Sequence, residues 1–226
     1  MSEVKPISWS FSSLKAYQTC PRQFYSYKVA KQYVQEETEA IRYGKILHEA
    51  FELYIRDGKP LGIDFTKFKP VLDALKNIPG EKLCEFEMAL NSELKPASGF
   101  LGKDVFCRGI ADLLIVNGAV AYVVDYKSGK AKYPDKKQLE LMALMVFAYF
   151  PEVQTVKGML LFVHHDVTVK GEYKRTQEKE LWAKWLNNVE SLKTSHLTGT
   201  WPANSSGLCR GWCSVEWCEH YQPKRN

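Results

Sequence analysis

Long apolar runs are missing from this sequence. No stretch approaches the roughly 18 residues that a membrane span needs, and the opening MSEVKPISWS lacks the apolar region of a secretion signal. A cytoplasmic location, with no membrane partner, is therefore expected. No G-x-x-x-x-G-K-[ST] occurs, so an ATP-driven motor on this chain is excluded. Internal repeats and low-complexity segments are also absent. Neither sign of charge dominates: the net charge of +5 permits a nucleic-acid partner without demanding one. Cysteine is sparse, at six residues. In a cytoplasm-like chain these read as metal ligands or buried thiols rather than disulfides.

What is present fits one domain of 226 residues. SWSFSSLKAYQTCPRQFYSYKV reads as two short helices, with Ser10 or Ser12 capping the first and Pro21 opening the second. Amphipathic spacing predicts a helix from about Glu39 to Asp57, closed by Gly58, and another from about Thr66 to Asn77. CEFEMAL reads as a strand. VFCRGIADLLIV and AVAYVVDYK flank Asn117-Gly118, a strong hairpin signal. KQLELMALMVFAYF follows as an apolar helix, VKGMLLFVHH as a strand, and residues from about Gln177 to Ser195 as a long helix before a turn-rich tail. The order implies an α/β fold, a mixed sheet covered by helices on both faces.

If Asn117 and Gly118 are the two loop residues, Asp112 faces Val123 and Ile110 faces Asp125. Alternation then projects Asp112, Asp125 and Lys127 from one side, with the aspartates diagonal neighbours roughly 7 Å apart at the backbone. One divalent cation can bridge such a pair. The competing reading places both aspartates at strand ends, solvated. Lys127 beside a metal-bound carboxylate could orient or help deprotonate an attacking water. Lys130, Lys132, Lys136 and Lys137 follow closely, either as a solvated loop or as contacts to a phosphate backbone.

In order along the chain stand GKILH (Gly44 to His48), GIAD (Gly109 to Asp112), VVDYKSG (Val123 to Gly129) and QLELM (Gln138 to Met142). This ordered set resembles the RecB/AddB-type branch of the PD-(D/E)XK nuclease superfamily. The resemblance implies a restriction-endonuclease-like core over residues 39–200, an N-terminal helical segment (1–38) and a cysteine-rich tail (201–226). It further implies Mg²⁺ or Mn²⁺ held by His48, Asp112, Asp125 and the Tyr126 backbone carbonyl, with Lys127 as catalytic lysine and Gln138 nearby. Met142 stands where the family motif usually has an aromatic. Glu85 and Glu87 are secondary candidates from the neighbouring strand.

Cys209, Cys213 and Cys218 have C-x3-C-x4-C spacing and need a fourth ligand to close a tetrahedral or cluster site. Cys20 resembles the first cysteine of the iron–sulfur nucleases in that superfamily, implying a [4Fe–4S] cluster that ties the chain ends together. Zn²⁺ is the chemical alternative, and His220 a further candidate ligand. Cys84 and Cys107 fall in strands and read as buried thiols. The function expected is a metal-dependent deoxyribonuclease, an exonuclease of recombination, replication or repair, phage-encoded or accessory to a larger machine. DNA is the expected partner, single-stranded or with duplex ends, beside a second copy or accessory recombination and replication proteins. The rival readings are a CRISPR-adaptation-type nuclease and a non-catalytic DNA-binding subunit. Arg22, Tyr25 and Tyr27 are expected to contact the DNA from the N-terminal helices, adding the stacking and phosphate contacts that a single-strand binding surface requires.

Overall fold

The computed structural model describes residues 7–34, 36–129, 134–165 and 167–223. They form two compact units, residues 37–182 and residues 1–36 with 183–226.

The larger unit opens with α1 (Glu39–Asp57), whose first turn is capped by the Thr38 side chain accepting from the Ile41 N–H. Gly58, at φ +69°, ends it in the left-handed conformation glycine adopts without strain. α2 spans Lys69–Lys76 and begins later than the spacing suggests. Pro70 suits only a first turn, and the residues before it, Ile63–Phe68, wind as a 3₁₀ segment instead.

A five-stranded sheet follows in the order β1 (Glu81–Leu90), β2 (Cys107–Asn117), β3 (Val120–Lys127), β4 (Thr155–Phe162), β5 (Val167–Lys174). Neighbours are antiparallel except β3 and β4, which run parallel. A parallel pair needs a crossover, and α3 (Lys137–Tyr149) supplies it. The sheet is thus mixed and covered on both faces, as expected.

Phe51 and Leu47 of α1, Leu72 of α2, and Leu113, Val124 and Tyr126 of the sheet form the core on one face. Phe51 is fully buried and meets Phe68 and Tyr126 edge to face at 5.4 and 4.9 Å. On the other face α3 lies close to the strands. A β-carbon added at Gly158 would stand 3.0 Å from the Leu139 β-carbon, so the missing side chain sets how near the helix comes.

β5 was not anticipated. VTVKGEYK has weak apolar alternation and an internal glycine, and most of its residues are exposed. As an edge strand it needs only one paired side, and its lysines suit an edge. The expected strand ending at His165 stops at Phe162.

In the smaller unit, Ser10 caps α4 (Phe11–Thr19) reciprocally with Ser13. α5 (Pro21–Phe24) runs into a π-helical turn at Tyr25–Val29. Trp9, almost wholly buried, stacks on Trp185 at 5.8 Å, and the Tyr17 hydroxyl donates to the Ser191 carbonyl at 2.7 Å. Trp185 and Ser191 belong to α6 (Glu178–Thr198). Among the described residues no helix is long and apolar enough to cross a membrane.

Candidate active site

Three acidic residues from three adjacent strands lie in one row. Cys84 pairs with Leu113 and Phe86 with Ala111, which sets Glu85 level with Asp112; the ladder skips that one pair. Glu85 has φ +47°, a left-handed angle that non-glycine residues seldom adopt. On the other side the β2–β3 pairing stops at Leu113↔Val124, and continuing its register sets Asp112 level with Asp125. In place of the next ladder bond, the Tyr126 N–H donates to Asp112 Oδ2 at 2.7 Å.

This register differs from the expected one. Asn117 pairs with Val120, so the loop is Gly118-Ala119, with Gly118 at φ +56°. A hairpin turn with glycine first needs a positive φ only there, and alanine can follow. The difference amounts to two residues, which preserves every side chain's alternation parity. It also moves Asp112 from a diagonal position to one level with Asp125.

His48 reaches this row from α1. Its Nε2 lies 3.1 Å from the Tyr126 carbonyl, and its Nδ1 lies 3.5 Å from Asp112 Oδ1 and 4.0 Å from Glu85 Oε1. One potential ligand atom each from His48, Glu85 and Asp112 lies within 4.8 Å of the others; among the described residues no other such group of His, Cys, Asp or Glu occurs. From α3, on the opposite face, the Gln138 amide nitrogen donates to Asp125 Oδ1 while its carbonyl accepts from Lys127 Nζ at 2.9 Å. Lys127 Nζ also pairs with Asp125 Oδ2 at 2.6 Å. The strands part at this point, so groups from both helical layers meet there.

The electrostatics record uncompensated negative charge. Burial, then the Asp112 carboxylate, pushes Glu85 up to about 7, and His48 only partly offsets them. Asp125 is also raised, by burial first and Asp112 second, against the pull of Lys127. Burial works against a charged His48, but Asp112 and the other carboxylates win and raise it. Acids held against their charged state beside an imidazole and the Tyr126 carbonyl suit a divalent cation.

Every residue expected at the metal centre is therefore in this network: His48, Asp112, Asp125, the Tyr126 carbonyl, Lys127 and Gln138. Glu85, only a secondary candidate in the sequence, joins them, while Glu87 is exposed. Its place depends on the β1–β2 register across the 91–106 connection, which no local motif reports. Lys136 and Lys137 are exposed at the start of α3; Lys130 and Lys132 lie outside the described residues.

In the smaller unit, Cys20, Cys209, Cys213 and Cys218 line one small cavity with Val215 and His220, and all four are free thiols. Backbone N–H groups of Asn204 and Ser206 point at Cys20 Sγ (3.5 Å) and Cys209 Sγ (3.4 Å), and Arg22 Nη1 at Cys218 Sγ (3.8 Å). Arg22 is also ion-paired with Glu219 and covers Trp217, and Tyr25 packs on Trp201 at 5.4 Å, so both are committed to internal contacts. Cys84 and Cys107 are strand thiols; Cys107 is buried as expected, whereas Cys84 is only half-buried, and burial pushes its thiol up to about 11.

No curated protein matches the chain. The chain is similar to two solved structures: SSO0001, at 15% identity and TM-score 0.41, covers 86% of this chain and 79% of its own. The other is a protein named "Putative exonuclease" from Eubacterium rectale, at 12% identity and TM-score 0.49, covering 94% of this chain and 86% of its own. The family model described as the PD-(D/E)XK nuclease superfamily matches residues 8–77 and 65–219. With nearly the whole length matched, the chain belongs to the PD-(D/E)XK nuclease superfamily.

Proposed function

We propose that the protein is a divalent-metal-dependent deoxyribonuclease acting as an exonuclease on DNA, with its centre at the Glu85–Asp112–Asp125 row. The observation that carries this reading is the cluster of His48, Glu85 and Asp112 ligand atoms within 4.8 Å, beside a lysine already positioned by Gln138. His48, Glu85, Asp112, Asp125 and the Tyr126 carbonyl would hold Mg²⁺ or Mn²⁺. Such an ion, when bound, lowers the pKa of a coordinated water and offsets charge building on the phosphate.

The chain's own residues do the rest. Gln138 keeps the Lys127 ammonium against Asp125, where it orients the attacking water and steadies the negative phosphoryl oxygens. The water oxygen gives up a proton and bonds to phosphorus as the bond to the leaving deoxyribose oxygen breaks, and that oxygen takes up a proton. Hydrolysis needs no other co-reactant.

The cysteine cavity supports a [4Fe–4S] cluster on Cys20, Cys209, Cys213 and Cys218. A single Zn²⁺ with bonds of about 2.3 Å would bring all its thiolates within about 4 Å of one another. Zn²⁺ is the alternative occupant of the same four thiolates. The N–H donors aimed at three of the sulfurs suit thiolate ligands.

Labelled linear and covalently closed single-stranded DNA, incubated with Mg²⁺ or Mn²⁺, test the reading together. Linear DNA should be degraded from an end and the circle spared, with Asp125→Ala inactive on both. Nicking of the circle would show an endonuclease, and inert wild-type protein under every metal condition would remove the enzyme reading.

A further inference from the structure

Charge and aromatic residues are unevenly shared between the two units. Residues 1–36 and 183–226 hold ten Lys or Arg against five Asp or Glu, so the whole net charge of +5 resides there. Residues 37–182, with the carboxylate row, hold 21 of each and are neutral. The basic unit also carries five of the six tryptophans.

One of these, Trp212, is 80% exposed. Packing gives no reason for so large an apolar surface in water. With Ala16, Gln23, Phe24, Tyr27 and Lys28 it lines a pocket of about 230 Å³, too small for a drug-sized ligand but suited to a single flat ring. Tyr27 and Lys28 lie on the π-helical turn, closed by the Ala30 N–H donating to the Tyr25 carbonyl at 2.8 Å. Such turns are rare and concentrate at functional sites. This one is firmly anchored: Tyr25 packs on Trp201, and fully buried Ser26 donates to the Arg22 carbonyl at 3.0 Å. Tyr33 packs on Tyr27 at 5.7 Å.

We propose that this pocket takes one unpaired base of single-stranded DNA, resting on the reading that the protein acts on DNA. Aromatic walls accept the face of any base, because every base has one. The exposed Lys28 ammonium meets the adjoining phosphate, and the Gln23 amide offers a donor and an acceptor to the base edge. A duplex presents no free base face, so the pocket selects single strands. The basic character of the unit supplies the matching long-range attraction.

Binding measured in EDTA separates this from catalysis. The probes are a fluorescein-labelled oligothymidylate and an abasic sugar–phosphate chain of equal length. Wild type should prefer the oligothymidylate by about tenfold or more. Trp212→Ala should lose about tenfold on the oligothymidylate and nothing on the abasic chain, and Trp212→Phe should recover most of it. Because Trp212 is exposed, an unchanged melting temperature verifies that the variants fold. Equal binding of Trp212→Ala and wild type to the oligothymidylate overturns the proposal, as do an equal loss on the abasic chain and failure of wild type to bind. Wild type that shows the predicted binding but cuts nothing when metal is restored leaves the base pocket standing and removes the nuclease reading. Cleavage with Trp212→Ala binding normally removes the pocket alone.

Discussion

Glu85 is held at φ +47°, a conformation costing of order 1–3 kcal/mol for a residue with a side chain. Replacing it with glycine relieves that strain and removes a like charge beside Asp112. Glu85→Gly should therefore melt about 2–4 °C higher without metal while losing most of its nuclease activity and divalent affinity. Calorimetry with and without Mn²⁺ checks both halves. The same carboxyl titrates near 7 in the folded protein against its ordinary 4.5, because burial and Asp112 disfavour its charge. Between those values the folded state holds the proton more tightly than the unfolded one. Metal-free stability should then fall as pH rises through that interval. A flat melting temperature across it would contradict the assignment, whereas Glu85→Gln should lessen the slope, leaving the part due to Asp125, and added Mn²⁺ should offset it. Little of this residue's role was legible in the sequence. Asp112, Asp125 and Lys127 could be grouped by alternation around one turn, and His48 and Gln138 by the resemblance of their motifs. Glu85 sits in a strand whose register depends on a distant pairing.

Among the elements, α3 joins the fold to the chemistry. It bridges the parallel strands β3 and β4, and Gln138 in its first turn touches both Asp125 and Lys127. Its height above the sheet is set at Gly158, where an added β-carbon would lie 3.0 Å from the Leu139 β-carbon. Gly158→Ala should cost about 1–3 kcal/mol in denaturant unfolding. It should also slow cleavage, since Leu139 adjoins Gln138. A variant of native stability and activity would show that α3 yields freely. The helices and the hairpin were legible because periodicity and a turn glycine are local signals. The hairpin loop lies one residue later than the sequence predicts, because Asn117-Gly118 suits a primed turn as readily as Gly118-Ala119. β5 escaped notice because an exposed edge strand has little apolar pattern to show.

The molecule as a whole divides its labour by charge. Residues 37–182 are neutral and hold the carboxylate row; the basic remainder holds the four clustered cysteines and Trp212. Composition alone showed only a mild positive excess, since its concentration in one unit emerges once both chain ends come together. If the proposed [4Fe–4S] cluster is present, anaerobically purified protein should show broad visible absorbance, and serine substitution of Cys20, Cys209, Cys213 or Cys218 should abolish it and lower the melting temperature. Serine at Cys84 should preserve the absorbance. Colourless wild type containing stoichiometric zinc would replace the cluster with a zinc site.

The carboxylate row is tested most directly by following cleavage of end-labelled single-stranded DNA while titrating Mn²⁺, with wild type and Lys127→Ala side by side. The account predicts that the variant binds Mn²⁺ as wild type does, because all the proposed ligands remain, yet cleaves about 100-fold more slowly or worse. Cleavage by Lys127→Ala at the wild-type rate would contradict it.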